Sequence, residues 1–263
     1  MTFLLGPALL FCPADRPDRF AKALDRADAV ILDLEDAVAP ENRDAARDAI
    51  ASADLDPSRV IVRVNEVGSP DWDADLAAAA RYPAIMVPKA DRRLLDAMPS
   101  GFDVIALCES AAGVVAAPEL ATRVSALMWG AEDLVASLGG TSSRYADGGY
   151  RDVARAARAN VLLAAGAAGI PAIDTVHLDI EDLDGLRTEA EDASASGFAA
   201  TACIHPSHVT VIRDAYRPTP EQVAWAQRVL DAAAGEQGVF RFEGGMVDGP
   251  VLRHAEAVLR RAG

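Results

Sequence analysis

A (β/α)8 barrel followed by a helical extension at its carboxyl end is the α/β fold this sequence predicts, and three observations predict it. Eight short apolar runs recur along the chain, and stretches rich in Ala, Leu, Arg and Glu at helical spacing separate them. Nearly every run ends in a residue able to do chemistry, which is where barrel enzymes assemble their active sites. The length, 263 residues, is that of one such barrel and suffices to bury a full core.

Strands are predicted at 8–12, 29–34, 60–64, 84–87, 104–108, 126–129, 172–176 and 200–204. These runs are continuously apolar rather than alternating, as parallel strands covered by helices usually are. Helical spacing of apolar residues between them predicts helices over 19–27, 44–51, 71–80, 150–168 and 183–196, so that strand then helix repeats eight times. Beyond the last run, Pro218-Thr-Pro220-Glu221 opens a helix over 221–234, since Pro is favoured at the front of a helix. A Gly-rich break then leads into a last helix over 251–261. A lone helix beyond a flexible Gly-Gly turn needs a surface to dock on. The expectation is a catalytic barrel over 1–217 and an extension over 218–263 that packs on a neighbouring subunit.

Hydrophobic residues make up 51% of the chain and charged residues 25%, which excludes a disordered chain, and no apolar run is long enough to span a bilayer. The start, Met1-Thr-Phe-Leu-Leu-Gly-Pro7, has neither a basic leader nor a signal-length apolar stretch, so a cytoplasmic location is expected. With 25 basic against 40 acidic side chains the net charge is −15, a field that repels nucleic acid and anionic membrane alike. An anionic substrate would need a local basic pocket. Cys12, Cys108 and Cys203 sit singly inside apolar runs, without the spacing of a zinc site or a disulfide framework, and read as buried reduced thiols.

Glu109 is read as ending the fifth strand and Asp133 as ending the sixth. Side chains at the ends of neighbouring strands converge on one axial site, so two carboxylates there make a hard, oxygen-rich pocket suited to Mg²⁺, with Mn²⁺ also possible. Either acid alone could simply cap the helix after its strand. The presence of Glu35 and Asp36 at the second strand favours the metal. Arg63, ending the third run, either pairs with these acids or grips a substrate carboxylate and a developing oxyanion. Arg16 and Lys89 suit phosphate binding or structural ion pairs. Around the second acid, Gly130-Ala131-Glu132 would let backbone N–H groups approach a bound anion, or form an ordinary strand-to-helix turn. His205 and His177 could contact substrate or bond locally.

With these residues in view, the chain resembles the citrate lyase β-subunit-like branch of the HpcH/HpaI aldolase and citrate lyase family, which includes malyl-CoA and citramalyl-CoA lyases. The motifs that carry the resemblance span nearly the whole chain: FCPADRPDRFAKA, VILDLEDAV, RVN, MVPKA, ALCESAAGV, MWGAEDL, CIHPSHV and GGMVDGPVL. The resemblance implies that Glu109 and Asp133 hold Mg²⁺, that Arg63 faces the reacting oxyanion, and that Glu35 and Asp36 support the metal's waters. It places Arg16, Pro88, Lys89 and the region around His205 near the CoA or the mouth of the site. Met246 to Asp248 would reach the active site of a neighbouring subunit in a homotrimer.

The activity implied is that of a carbon–carbon lyase. A 3-hydroxyacyl-CoA such as malyl-CoA or citramalyl-CoA would be cleaved by a retro-Claisen route to acetyl-CoA or a relative and a 2-ketoacid, with Asp248 as the proton-exchanging acid. The alternatives are a citryl-cleaving citrate lyase subunit, a malate-synthase-like enzyme, a CoA-independent class II ketoacid aldolase and a non-catalytic assembly subunit.

Overall fold

The computed structural model describes residues 5–236 and 238–262. Eight parallel strands close into a barrel in chain order: β1 (Ala8–Pro13), β2 (Ala29–Asp33), β3 (Val60–Arg63), β4 (Ala84–Val87), β5 (Asp103–Cys108), β6 (Ala126–Trp129), β7 (Ala172–Asp174) and β8 (Ala200–Cys203). The barrel shuts where β8 pairs with β1, Leu9 lying opposite Ala202. Each strand falls on a predicted apolar run, and the largest difference is at β7, which stops at Asp174.

The barrel interior explains why the site forms where it does. Leu9, Ile31, Ile61, Met86, Ile105, Leu107 and Met128 pack together inside and are almost wholly buried. Side chains alternate along a strand, so the position two residues beyond an inward one also points inward. Counting on from Ile31, Ile61, Leu107 and Met128 gives Asp33, Arg63, Glu109 and Gly130. The apolar layer therefore hands over to a polar one at the carboxyl ends of the strands.

Around the barrel run α1 (Phe20–Arg26), α2 (Arg43–Ser52), α3 (Trp72–Ala79), α4 (Arg92–Asp96), α5 (Ala111–Leu120), α6 (Ala131–Ser137), α7 (Asp152–Ala168), α8 (Leu183–Ser196) and α9 (Pro206–Tyr216). Local chemistry fixes several ends. Ser110 accepts the Gly113 N–H at 3.1 Å to open α5, and Asp182 accepts the Gly185 N–H at 2.9 Å to open α8. Gly169 and Gly197 close α7 and α8 with φ of 70° and 109°, a conformation that favours glycine.

By its internal contacts the chain divides into one unit ending at Ile212 and a second beginning at Arg213. In the second, Thr219 and Gln222 form a reciprocal capping box at the start of α10 (Pro220–Ala233). A hairpin follows, β9 (Phe240–Phe242) and β10 (Gly245–Val247), and then α11 (Gly249–Ala262). Ala226, Val229, Val247 and Ala255 are its buried core. The hairpin is absent from the sequence reading. Its strands are three residues each, too short to alternate visibly, and its signal is the turn Glu243-Gly244, with φ of 46° and 83°. The leader reading, made on Met1 to Pro7, falls in part on Met1–Leu4, which lie outside the described residues, as does Gln237 in the Gly-rich break. Among the described residues no helix is long and apolar enough to cross a membrane.

Candidate active site

A cavity of about 430 Å³ opens at the carboxyl ends of the strands, lined on its polar side by Asp33, Arg63, Glu109, Glu132 and Asp133. Phe11, Leu107, Met128, Val176, Leu178 and Ile204 supply an apolar wall. Asp36, Gly130 and Ala131 also border it.

Arg63 is 9% exposed and held on several sides. Its Nε donates to Asp33 Oδ1 at 2.7 Å and its Nη2 to Asp33 Oδ2 at 2.6 Å, a bidentate fork. Nη1 stands 2.9 Å from Glu35 Oε2, at ion-pair distance but without hydrogen-bond alignment. The guanidinium carbon lies 5.0 Å from the centre of the Phe11 ring. Burial works against its charge, yet the Asp33 fork together with the charges of Glu35 and Glu109 more than offsets this and raises its pKa. Asp33 is in turn fixed by backbone N–H groups of Glu35 at 3.0 Å and Ala37 at 3.2 Å. The sequence reading gave Asp33 no role. The available signal was its place two residues after the inward Ile31.

Glu109 is 4% exposed, and its Oε1 accepts the backbone N–H of Lys89 at 2.9 Å. Burial pushes its carboxyl up to about 8, and the charges of Glu35 and Asp133 add to the effect. Gly130 makes room for it, since a Cβ there would lie 2.9 Å from Glu109 Cβ and 3.0 Å from Oε2. Asp133, on the first turn of α6, borders the same cavity. Glu132 accepts a hydrogen bond from Ser143 Oγ at 2.6 Å.

The structure gathers Arg63, Glu109, Asp133, Asp36, Gly130, Ala131 and Glu132 around one cavity, with Glu35 just behind. The Lys89 ammonium is paired with Glu35, and Asp36 stands 3.8 Å from it. Arg16 is exposed and pairs with Asp18 at 3.1 Å. His205 Nδ1 meets Ser207 Oγ at 2.7 Å. His177 is buried beside Glu189, 2.9 Å away. Pro88 leads from β4 into the Lys89 turn. Asp248 belongs to the second unit, where its Oδ1 accepts the Val251 N–H at 3.3 Å as α11 begins. A further group that sequence reasoning missed supports the chain two residues beyond Arg63. Asp75, with no exposure, accepts the N–H and side-chain amide of Asn65 at 2.8 and 2.7 Å and Arg47 Nε at 2.7 Å. It anchors the chain just past β3.

Among the described residues no group of three or more His, Cys, Asp and Glu side chains is placed to hold a metal ion. Mg²⁺ asks for less, because it keeps several waters and is commonly bound through one or two carboxylates plus substrate oxygens. Glu109 is a buried acid crowded by other acids, and a divalent cation offsets that repulsion. The donor set of Glu109 and Asp133 therefore fits such an ion, with Arg63 available to an anionic substrate beside it.

Comparison with known proteins identifies the family. The family model described as HpcH/HpaI aldolase/citrate lyase matches residues 8–95 and 98–206. A citrate lyase subunit beta-like protein of Mycobacterium tuberculosis is 56% identical over 264 residues, covering 98% of this chain and 96% of that protein. The mitochondrial citramalyl-CoA lyase of Rattus norvegicus is 29% identical, covering 97% and 85%. Among solved structures, the CitE protein of M. tuberculosis in complex with magnesium, acetoacetate and coenzyme A superposes with a TM-score of 0.91 at 55% identity, covering 98% of each chain. Matched by the family model along most of its barrel, and by a relative of the same fold over nearly its full length, the chain belongs to the HpcH/HpaI aldolase/citrate lyase family.

Proposed function

We propose that this protein is a Mg²⁺-dependent carbon–carbon lyase that cleaves a 3-hydroxyacyl-CoA to an acyl-CoA and a 2-ketoacid by a retro-Claisen reaction. The observation that carries the reading is the meeting of Glu109, Asp133 and Arg63 on one cavity at the carboxyl ends of the strands. A bound Mg²⁺ would supply Lewis acidity to substrate oxygens. Glu109 and Asp133 would hold it, with Glu35 and Asp36 accepting hydrogen bonds from its surroundings.

The chain's own residues account for the rest. Arg63 directs its uncommitted N–H groups at the substrate carboxylate and at the oxygen that gains charge as the carbon–carbon bond breaks. The fork with Asp33 fixes the plane of that guanidinium before substrate arrives, so little reorientation is left for the reaction. The apolar wall of Phe11, Leu107 and Met128 keeps bulk water off the enolate of the departing thioester. Asp248, brought by a second copy of the chain in a homotrimer, exchanges a proton with substrate or enolate. That last assignment is supported by the Met246-Val247-Asp248 motif.

Mass-spectrometric product analysis tests the reading. The purified protein is given Mg²⁺ and a panel of malyl-CoA, citramalyl-CoA and hydroxymethylglutaryl-CoA, with Glu109→Ala and Asp133→Ala alongside. Release of acetyl-CoA that disappears in both variants is the expected result. No cleavage of any thioester would overturn it in favour of a carrier-bound citryl group, a CoA-independent ketoacid aldolase or an assembly subunit.

A further inference from the structure

The connection after β4 carries a backbone conformation that side chains disfavour. Among the described residues, Lys89 and Glu243 are the non-glycine positions with positive φ. Glu243 lies in a two-residue hairpin turn, where left-handed backbone is required. Lys89, with φ of 47°, follows a parallel strand and is in no hairpin.

What the conformation achieves is visible in the ladder. Pairing of β4 with β5 runs to Val87 opposite Ala106 and resumes when the Ala90 N–H donates to Leu107 O at 3.0 Å. A regular parallel ladder would draw that bond from the Lys89 N–H, so Pro88 and Lys89 together stand where one residue would, as in a bulge. Pro88 has no N–H to donate. The Lys89 N–H, turned out of the ladder, donates to Glu109 Oε1 at 2.9 Å. Its ammonium reaches to the carboxylate of Glu35, beyond the end of β2. The kink is also backed from behind, for a Cβ on Gly113 would lie 2.3 Å from the Ala90 carbonyl oxygen, so α5 sits directly against it. Strain of this kind persists only where the surroundings over-determine it.

We propose that Lys89 is a positioning residue of the cation site: its left-handed backbone aims the N–H that fixes the Glu109 carboxylate, and its ion pair with Glu35 pins that backbone. The inference rests on the reading that Glu109 holds a divalent cation. It gives the Pro88-Lys89 motif a task distinct from contact with CoA. The ammonium is an anchor, and the peptide N–H does the orienting.

The test uses the full chain without substrate and reads Mn²⁺ binding from the free-ion electron paramagnetic resonance signal, with thermal melting alongside. Lys89→Asn and Lys89→Gly lose the ammonium but tolerate left-handed backbone, whereas the branched Lys89→Val does not. Asn and Gly variants, which lose the anchor but keep the backbone, are expected to bind no more than about threefold more weakly than the wild type, and the Val variant at least about tenfold more weakly while still melting cooperatively. Should Lys89→Val melt early, Lys89→Ala replaces it, with a loss lying between the two groups. Val or Ala variants binding as tightly as Asn would overturn the proposal. So would Asn and Gly variants that lose as much as Val, since the ammonium and not the backbone would then be responsible. A wild-type protein that binds no Mn²⁺ would instead overturn the cation site itself, and this assignment with it.

Discussion

Arg63 and Asp33 stand side by side at the ends of β3 and β2 in a two-bond fork of 2.7 and 2.6 Å, and both are buried. The strands are in register there, Asp33 opposite Arg63, so the fork follows from sheet pairing itself. Removing one partner leaves the other charged in a low-dielectric setting. Asp33→Ala is therefore expected to destabilise the protein by about 3 kcal/mol or more in urea unfolding. Arg63→Lys keeps the charge but not the fork, and kcat is expected to fall about 100-fold with a smaller change in stability.

Gly130 is required by space rather than by backbone conformation, since its φ of −128° is open to any residue. Gly130→Ala would press on the Glu109 carboxylate. The expected outcome is divalent-cation binding weakened about tenfold, measured by calorimetric titration, with the fold retained. Unchanged affinity would count against Glu109 as a ligand.

Asp75 carries no exposure and holds Asn65 and Arg47 together. Asp75→Ala orphans the buried Asn65 N–H and takes one acceptor each from Arg47, which keeps Asp44 and Asp71, and from the Asn65 amide, which keeps the Leu34 carbonyl, and a loss of about 1–3 kcal/mol in unfolding free energy is expected. Asp75→Asn retains part of the bonding and should lose less. Since Asp75 anchors the chain beyond Arg63, activity should fall with stability in both variants.

His177 is pushed above the usual histidine range by its hydrogen bond to Glu189, with burial opposing and Asp182 adding to the upward shift. Arg144, which pairs with the same Glu189, opposes it. Glu189 is held below its ordinary value, its burial outweighed by His177 and Arg144. For a raised histidine, the stabilisation is complete below the unfolded value of 6.5 and disappears as pH climbs through the folded one. For the depressed carboxyl, it is present above 4.5 and disappears as pH falls through the folded value. Thermal melts of the wild type should thus decline as pH is raised from about 6 to 8.5, and His177→Gln should flatten that decline. An identical slope in the variant would show that other groups set it.

Where the polar residues gather was legible in the sequence because parallel strands in a barrel are buried on both faces and read as apolar runs. The residue ending such a run is forced to the rim. Arg63 and Glu109 could be placed on the rim from that alone, and Asp33 could have been, by counting in twos from Ile31, whereas Asp133 stands past the end of β6 on the first turn of α6. The hairpin at Glu243-Gly244 could not be read with the same ease, as three-residue strands carry no periodicity. For Lys89 the sequence offered a phosphate contact or an ion pair, and nothing local indicates that its backbone N–H would reach the Glu109 carboxylate.

The sequence by itself determined the barrel, the order of its strands and the set of polar residues at their ends, since burial and the two-residue alternation of strands are local properties written in hydrophobicity. Only the tertiary structure decided how those residues are coupled: Arg63 forked on Asp33, Lys89 stapled to Glu35 and Glu109, and Gly130 yielding its space to a carboxylate. Those couplings join residues 20 to 54 positions apart, as the spacings Lys89–Glu109 and Lys89–Glu35 show. Closure of the sheet brings such residues within hydrogen-bonding distance, and no local pattern encodes which rotamer or N–H will meet there.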